Sequence, residues 1–142
     1  LLVERMVKEF KRSGRAAGGG FYDYPPEKGG KKTLWTGLKP LFEKPELAWD
    51  IQDLKDRLLY RQAVETARCL AEGVLTSVHE ANIGSLFGIG FPAWTGGAMQ
   101  FIYGMGVDAF VARCDALAAR FGAGFLLTDA VKAPIRQHQP VY

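Results

Sequence analysis

Residues 88–97 read Gly-Ile-Gly-Phe-Pro-Ala-Trp-Thr-Gly-Gly, and this stretch decides how the chain folds. Its glycines permit positive φ and close approach of backbones. Pro92 disfavours the helical conformation at Phe91, so a helix is not expected to run through this point. Because amphipathic stretches lie on both sides, the pattern predicts a loop that joins two helices. Apolar side chains are predicted to anchor this loop in the core: Phe87, Ile89, Phe91 and Trp94. The structural motif comprises Gly88, Gly90, Phe91, Pro92, Gly96 and Gly97.

Two helices are predicted before the loop. Apolar residues at three- and four-residue spacing indicate a long helix that starts after Asp50, a suitable N-cap. Gly73 stands where a left-handed C-cap is expected. Ser77 and Glu80 then have the spacing of a capping box, with Glu80 reaching back, and begin a helix that extends to Phe87.

Three further helices are predicted after the loop. Thr95 is the expected cap of a helix that ends near Met105, and residues 107–121 show the clearest helical periodicity. Thr128 begins a short last helix, which Pro134 is expected to limit. No alternating apolar and polar run is long enough for a sheet, so the predicted class is all-α.

The N-terminal third of the sequence is less regular. Residues 1–11 have helical spacing, and a short extended segment with three aromatic residues follows Gly20. Residues 25–33 form a polar linker rich in proline and glycine. Residues 34–48 predict one or two helical turns, interrupted by Pro40 and Pro45.

Composition and charge argue against several classes of function. The net charge of +3 is small, and the basic residues are scattered among 15 acids, which does not indicate nucleic-acid binding. No run approaches the roughly 18 apolar residues of a membrane span. The first residues lack the apolar core of a signal peptide, so we expect a cytoplasmic protein.

Cys69 and Cys114 are interpreted as reduced core thiols rather than as one disulfide. The chain starts within a helical pattern and without methionine, which suggests part of a longer protein.

The candidate chemical motifs are weak. Gly88-Ile89-Gly90 lacks the preceding strand and the following acid of a dinucleotide loop. His79 and His138 have no further ligands at metal-binding spacing. Glu65 and Glu72 are bracketed by apolar residues, but pairing with the backbone or with Arg68 is favoured over a role as catalytic base. The residues alone therefore predict no catalytic, cofactor-binding or metal-binding site.

Several motifs together carry a family resemblance. They are Gly14-Arg15 with residues 20–24 (Gly-Phe-Tyr-Asp-Tyr), Arg57-Leu58-Leu59 with residues 65–73, the loop at residues 88–97, and Met105-Gly106-Val107. This set resembles the C-terminal region of the multifunctional α subunit of bacterial fatty-acid β-oxidation. In that family an enoyl-CoA hydratase is fused to an NAD-dependent 3-hydroxyacyl-CoA dehydrogenase, whose Rossmann domain precedes two copies of a helical domain.

The resemblance implies an architecture. Residues 1–24 would be the tail of the first helical copy, residues 25–48 a linker, and residues 49–142 the second copy. The expected fold is a helical bundle of the 3-hydroxyacyl-CoA dehydrogenase C-terminal type.

The resemblance also implies a role without catalysis. In catalytic copies an asparagine before the arginine of the long helix helps to hold substrate, whereas Asp56 precedes Arg57 here. A carboxylate lacks the amide donor. The His-Glu dyad and the NAD site of the family lie in the Rossmann domain, so no cofactor is expected in this chain although the full enzyme uses NAD. Asn82 stands where the family often has Asp, which affects only the capping of the helix that contains it.

The implied function is to complete the dehydrogenase fold and to brace it against its partners. Those are the Rossmann and hydratase domains of the parent chain and a thiolase β subunit. If acyl-CoA substrate is touched at all, the resemblance points to Phe87 and Gly88. The alternative is a free-standing helical protein-interaction module.

Overall fold

The computed structural model describes residues 2–27 and 29–140, which excludes Leu1, Lys28, Val141 and Tyr142. The chain divides into two compact units, Leu1–Ala48 and Trp49–Tyr142. The assignment of residues 1–24 and 49–142 to two helical repeats, joined by a linker at 25–48, stays a prediction.

The first unit combines two short helices with a small sheet. Helix α1 spans Leu2–Lys8, and a 3-10 turn covers Arg15–Ala17. Strand β1 at Tyr22–Asp23 pairs antiparallel with β2 at Thr33–Leu34, and α2 follows at Leu38–Phe42. The predicted helix over residues 1–11 is therefore too long, and the sequence prediction missed β2. A strand of two residues is too short to show alternation, which is why no sheet was expected.

Arg12 holds the glycine-rich segment of this unit in place. Its Nε donates to the Gly20 carbonyl at 2.8 Å, and its Nη2 donates to the Tyr22 carbonyl at 3.2 Å and to the Asp23 carboxylate. A Cβ on Gly19 would lie 2.7 Å from Nη2 of Arg12, so a side chain there would displace the guanidinium. Glycine at this position therefore permits the close approach of arginine to backbone.

The second unit is a helical bundle. Helix α3 spans Ile51–Ala71, α4 Val78–Gly88, α5 Ala98–Met105, α6 Val107–Phe121 and α7 Asp129–Gln137, with 3-10 turns at Ala93–Thr95 and Ala123–Phe125. Helix α3 packs against all four other helices. The fully buried core side chains include Val64, Met99, Ile102, Phe110, Leu117 and Ile135. The all-α class is confirmed.

Most helix termini agree with the sequence prediction. Asp50 accepts a hydrogen bond from the backbone N–H of Gln52 at 2.8 Å and caps α3. Ser77 accepts from the backbone N–H of Glu80 at 3.1 Å and caps α4. Gly73, with φ of 75°, follows the end of α3 in the left-handed region.

The capping box at α4 differs in one detail. Glu80 reaches back to Thr76, whose backbone N–H and hydroxyl donate to it at 2.8 and 2.7 Å. These bonds lower the pKa of Glu80, and the bond from the Thr76 hydroxyl has the larger effect.

Pro134 does not limit α7 as predicted. The helix continues to Gln137, and the backbone N–H of His138 still donates to the Pro134 carbonyl. Proline removes one backbone hydrogen bond within a helix. Burial of Val131 and Ile135, four residues apart on one face, stabilises the helix on both sides of the proline.

The prediction of four anchoring side chains at the loop is wrong for three of them. Phe91 is 2% exposed, and its ring packs edge-on against that of Phe101, with 5.7 Å between the ring centroids. Phe87 and Trp94 are 84% and 80% exposed, and Ile89 is also exposed. The reason for Phe87 lies in the helical period. Ala81 and Ser85 form the buried face of α4, and a residue two positions after Ser85 points away from that face.

The contrast between the two phenylalanines is testable. Phe91→Ala removes a buried ring and should lower the free energy of unfolding by about 3–5 kcal/mol. Phe87→Ala is the matched control, because an exposed substitution usually changes it by less than about 0.5 kcal/mol. Urea melts followed by circular dichroism measure both. Equal midpoints for the two variants would contradict the anchoring role of Phe91.

Candidate functional site

The N-terminus of α5 is capped by side chains from α4. The Asn82 Oδ1 accepts from the backbone N–H groups of Met99 and Gln100, both at 3.0 Å. The Ser85 hydroxyl accepts from the Ala98 N–H at 2.9 Å and donates to the Asn82 carbonyl at 2.9 Å. Three of the unpaired donors at the start of α5 are thus satisfied by one neighbouring helix.

Thr95 is not the cap that the sequence predicted. Its hydroxyl donates to the Pro92 carbonyl at 2.7 Å and accepts from the Gly97 N–H at 3.1 Å. These bonds lie within the loop, before α5 begins. Thr95 therefore stabilises the turn that delivers the chain to α5, and the capping of α5 falls to Asn82 and Ser85.

Gly97 permits the contact between α4 and α5. Its φ is 115°, and a Cβ there would lie 2.6 Å from the Cα of Asn82. A side chain would therefore strain the backbone and collide with backbone on the neighbouring helix. The requirement for glycine at this position follows from the cap. The other motif residues lie in the same turn: Gly88 ends α4, Gly90 and Phe91 follow it, and Pro92 and Gly96 flank the 3-10 turn.

The predicted substrate contacts lie on the surface. Phe87 and Gly88 are both exposed at the C-terminal end of α4. Ile89 and Trp94 are exposed nearby in the chain. The loop thus presents apolar side chains to solvent on a framework fixed by Phe91 and Asn82. A role of Phe87 and Gly88 in substrate binding stays a prediction.

An ion-pair cluster with two buried carboxylates joins α3 to α6. The Arg113 Nη2 lies 2.7 Å from the Asp53 Oδ1, and its Nε donates to the Asp56 Oδ2 at 2.7 Å. Arg120 contacts the second oxygen of Asp53, and Gln52 donates to the Asp56 Oδ1 at 2.7 Å. Both carboxylates are therefore engaged within the fold. Hydrogen bonding from Arg113 is the largest influence on the pKa of Asp53 and lowers it, although burial opposes the change.

The sequence analysis missed this cluster. Neither the pairing of Asp53 and Asp56 nor the role of Arg113 was predicted. A usable signal was present, because aspartates three apart on α3 share one side of that helix. Arg113 and Arg120, seven apart, share one side of α6. The sequence did not show that this side of α3 packs against this side of α6.

Glu65, Cys69 and Cys114 are among the other groups that the sequence analysis singled out. Glu65 pairs with Arg68 at 3.2 Å, as the favoured interpretation predicted, and also with Arg61 at 3.2 Å. Both cysteines are free. Cys114 is a core thiol, and burial raises its pKa to about 12. Cys69 is partly exposed, so its interpretation as a core thiol is only partly right.

Among residues 2–27 and 29–140, no group of three or more His, Cys, Asp or Glu side chains is arranged to hold a metal ion. None of the helices in that same part of the chain combines the length and the apolar character needed to cross a membrane.

The second unit is thus an all-α domain in which polar side chains at the helix junctions cap helix termini and form ion pairs. No family model matches the chain. The chain is 38% identical to the fatty acid oxidation complex subunit alpha of Pseudomonas putida (strain F1), over 114 residues that take in 75% of this chain. The resemblance to the α subunit of fatty-acid oxidation is thereby confirmed. The chain spans 16% of the length of that relative.

The cap of α5 can be tested by substitution. Asn82→Ala leaves the N–H groups of Met99 and Gln100 without an acceptor and should lower the free energy of unfolding by about 1–2 kcal/mol. Asn82→Asp is the control, because it keeps the acceptor and adds a charge that favours a helix N-terminus. Thermal melts should show a lower melting temperature for the alanine variant and not for Asn82→Asp.

Gly97→Ala probes the same contact from the other side. It should destabilise the protein, because the added Cβ collides with Asn82 at a positive φ. A wild-type melting temperature for Asn82→Ala or for Gly97→Ala would show that the α4–α5 contact does not hold α5.

The ion-pair cluster predicts a pH dependence. The pKa of Asp53 is lower in the folded state, so its stabilising contribution is present at neutral pH. That contribution is lost as the pH falls from the unfolded value of about 3.9 through the folded pKa. In Asp53→Asn this component is absent, so stability should fall less steeply with acidification. Asp115→Asn, at an exposed position of α6, should keep the wild-type slope. Urea melts between about pH 6 and pH 2.5 measure the slopes. Identical slopes for wild type and Asp53→Asn would contradict the assignment.

Proposed function

We propose that this chain is the non-catalytic helical part of an NAD-dependent 3-hydroxyacyl-CoA dehydrogenase in a cytoplasmic fatty-acid oxidation α subunit. It would complete the dehydrogenase fold and brace it against the hydratase domain and a thiolase β subunit. The acyl-CoA substrate and NAD would be bound by the parent protein. The similarity to the Pseudomonas putida subunit carries this proposal.

The state of Asp56 supports the non-catalytic part of the proposal. The family resemblance implies an asparagine at this position in copies that hold substrate, where an amide can donate. Asp56 instead accepts from Arg113 at 2.7 Å and from Gln52 at 2.7 Å. Both of its oxygens are thus committed to partners within the fold, and an ionised carboxylate has no hydrogen to donate.

The alternative function is a free-standing helical interaction module. The exposed Phe87 and Trp94 favour it, because large aromatic side chains on a surface are typical of protein contacts. The two functions differ in what the parent gene encodes. An open reading frame that starts near Leu1 would favour the module, whereas one with a preceding Rossmann domain would favour the dehydrogenase.

Activity distinguishes the two as well. The purified chain should produce no NADH from 3-hydroxybutyryl-CoA and NAD, because the dyad and the nucleotide site are expected elsewhere in the parent. The parent subunit should produce NADH, and deletion of these helices should abolish or strongly reduce that activity. Absorbance at the NADH band measures both. NADH formation by the purified chain, or full activity of the parent without it, would contradict the proposal.

A further inference from the structure

The three methionines of the chain differ in their exposure. Met6 and Met99 are 1% and 0% exposed, whereas Met105 is partly exposed at the end of α5. Met105 also lines a cleft of about 330 Å³ beside the loop. The other residues that line this cleft are Trp94, Thr95, Gln100, Phe101 and Gly104. A small solute can therefore reach Met105 far more readily than it can reach the other two methionines.

The sulfur of Met105 accepts a hydrogen bond from a buried tyrosine. The Tyr60 hydroxyl donates to the Met105 Sδ at 3.1 Å, and Tyr60 is 5% exposed. Burial is the largest influence on the pKa of Tyr60 and raises it to about 12, so the hydroxyl keeps its proton at neutral pH. A thioether sulfur is a weak acceptor. Because Tyr60 lies on α3 and Met105 on α5, this bond joins the two helices.

Neighbouring rings hold Tyr60 in position. Its ring stacks on that of Phe110, with 5.0 Å between the centroids, and meets the ring of Phe101 edge-on at 5.5 Å. With aromatic contacts of this kind around it, the tyrosine is not free to follow a sulfur that moves away. A change in the accepting group at Met105 therefore acts directly on the contact between α3 and α5.

We propose that Met105 is a site of oxidation by hydrogen peroxide, and that its sulfoxide breaks the bond from Tyr60 and weakens the contact between α3 and α5. The sulfur gains one oxygen atom and loses two electrons to the peroxide. The O–O bond breaks, and the second oxygen leaves as water with both protons. The inference goes beyond the proposed function, because it assigns a modification site to these helices and requires neither the Rossmann domain nor NAD.

The direction of attack explains the loss of the bond. Peroxide reaches the sulfur from the cleft, so the new oxygen is added on that side and is hydrated there. Oxidation converts an apolar side chain into a polar one, and the accepting lone pairs now lie on the oxygen rather than on the sulfur. The buried Tyr60 hydroxyl is then left without its acceptor, which lowers the stability of the fold.

Peptide mapping by mass spectrometry tests the selectivity of the reaction. In the folded chain treated with hydrogen peroxide, Met105 should form sulfoxide at least about tenfold faster than Met6 or Met99, because susceptibility follows exposure. In guanidinium chloride the three methionines should react at similar rates. Equal rates in the folded chain would overturn the proposal.

Thermal melts before and after peroxide treatment test the consequence. Oxidation should lower the melting temperature of the wild-type chain by about 4 °C or more. Met105→Leu is the matched control, because it keeps both cysteines and both buried methionines, and peroxide should leave its melting temperature unchanged. Tyr60→Phe has no hydroxyl to lose its acceptor, so oxidation should lower its melting temperature by less than about half as much.

The variants separate this proposal from general oxidative damage. A peroxide-induced shift in Met105→Leu, or equal shifts in the wild type and Tyr60→Phe, would overturn it. An unchanged melting temperature for the oxidised wild type would overturn it as well. None of these results depends on NADH formation, so this proposal and the proposed function can fail separately.

Discussion

The structure of the second unit depends on the contact between Asn82 and the N-terminus of α5. A helix of eight residues has few internal hydrogen bonds relative to its unpaired termini, so its position must be fixed from outside. Asn82 and Ser85 supply the acceptors, and Gly97 allows the two helices to approach. Helix α5 then holds Met99 and Ile102 in the centre of the core. One amide side chain thus links the loop, the helix and the packing of the bundle.

A second set of polar residues fixes α3 against α6. Burial of Asp53 and Asp56 would destabilise the fold if either carboxylate lacked a partner, because uncompensated buried charge is costly. Arg113 satisfies both, and its pKa is raised, most by the hydrogen bond to Asp53. Such a cluster favours one register of α6 along α3, since a shift by one residue would separate Arg113 from both acids.

The sequence predicted the local features of this fold well. Asp50, Ser77 and Gly73 act within one turn of their own positions, so the residue type and its spacing were sufficient. The bounds of α6 followed from its apolar period in the same way. Interactions between distant segments were not predicted. Asn82 caps a helix that begins 16 residues later at Ala98, and no local pattern reveals that acceptor.

The loop shows the same limit in its apolar residues. Phe87, Phe91 and Trp94 are alike in composition, and the sequence suggested one role for all three. Their burial depends on the direction in which each side chain points. The end of α4 points Phe87 outward, whereas Phe91 packs beside Phe101 in the core. The predicted contacts at Phe87 and Gly88 could be placed on the surface only once α4 was known to end at Gly88.

Asp56 supports the fold at a position where the family resemblance implies a ligand-holding asparagine in catalytic copies. An asparagine there could donate one hydrogen bond outward while it accepts another, which suits a group that holds a ligand. An aspartate can only accept while ionised, and in a buried site it needs a cation. Arg113 provides that cation from α6 and lies within 2.7 Å of Asp53 as well. The arginine therefore makes the carboxylate at position 56 tolerable, and the carboxylate ties α3 to α6 where a neutral amide acceptor would form a weaker bond. The two residues act as one unit, so a substitution of Asp56 by asparagine would supply a donor but would leave Arg113 with a single carboxylate partner.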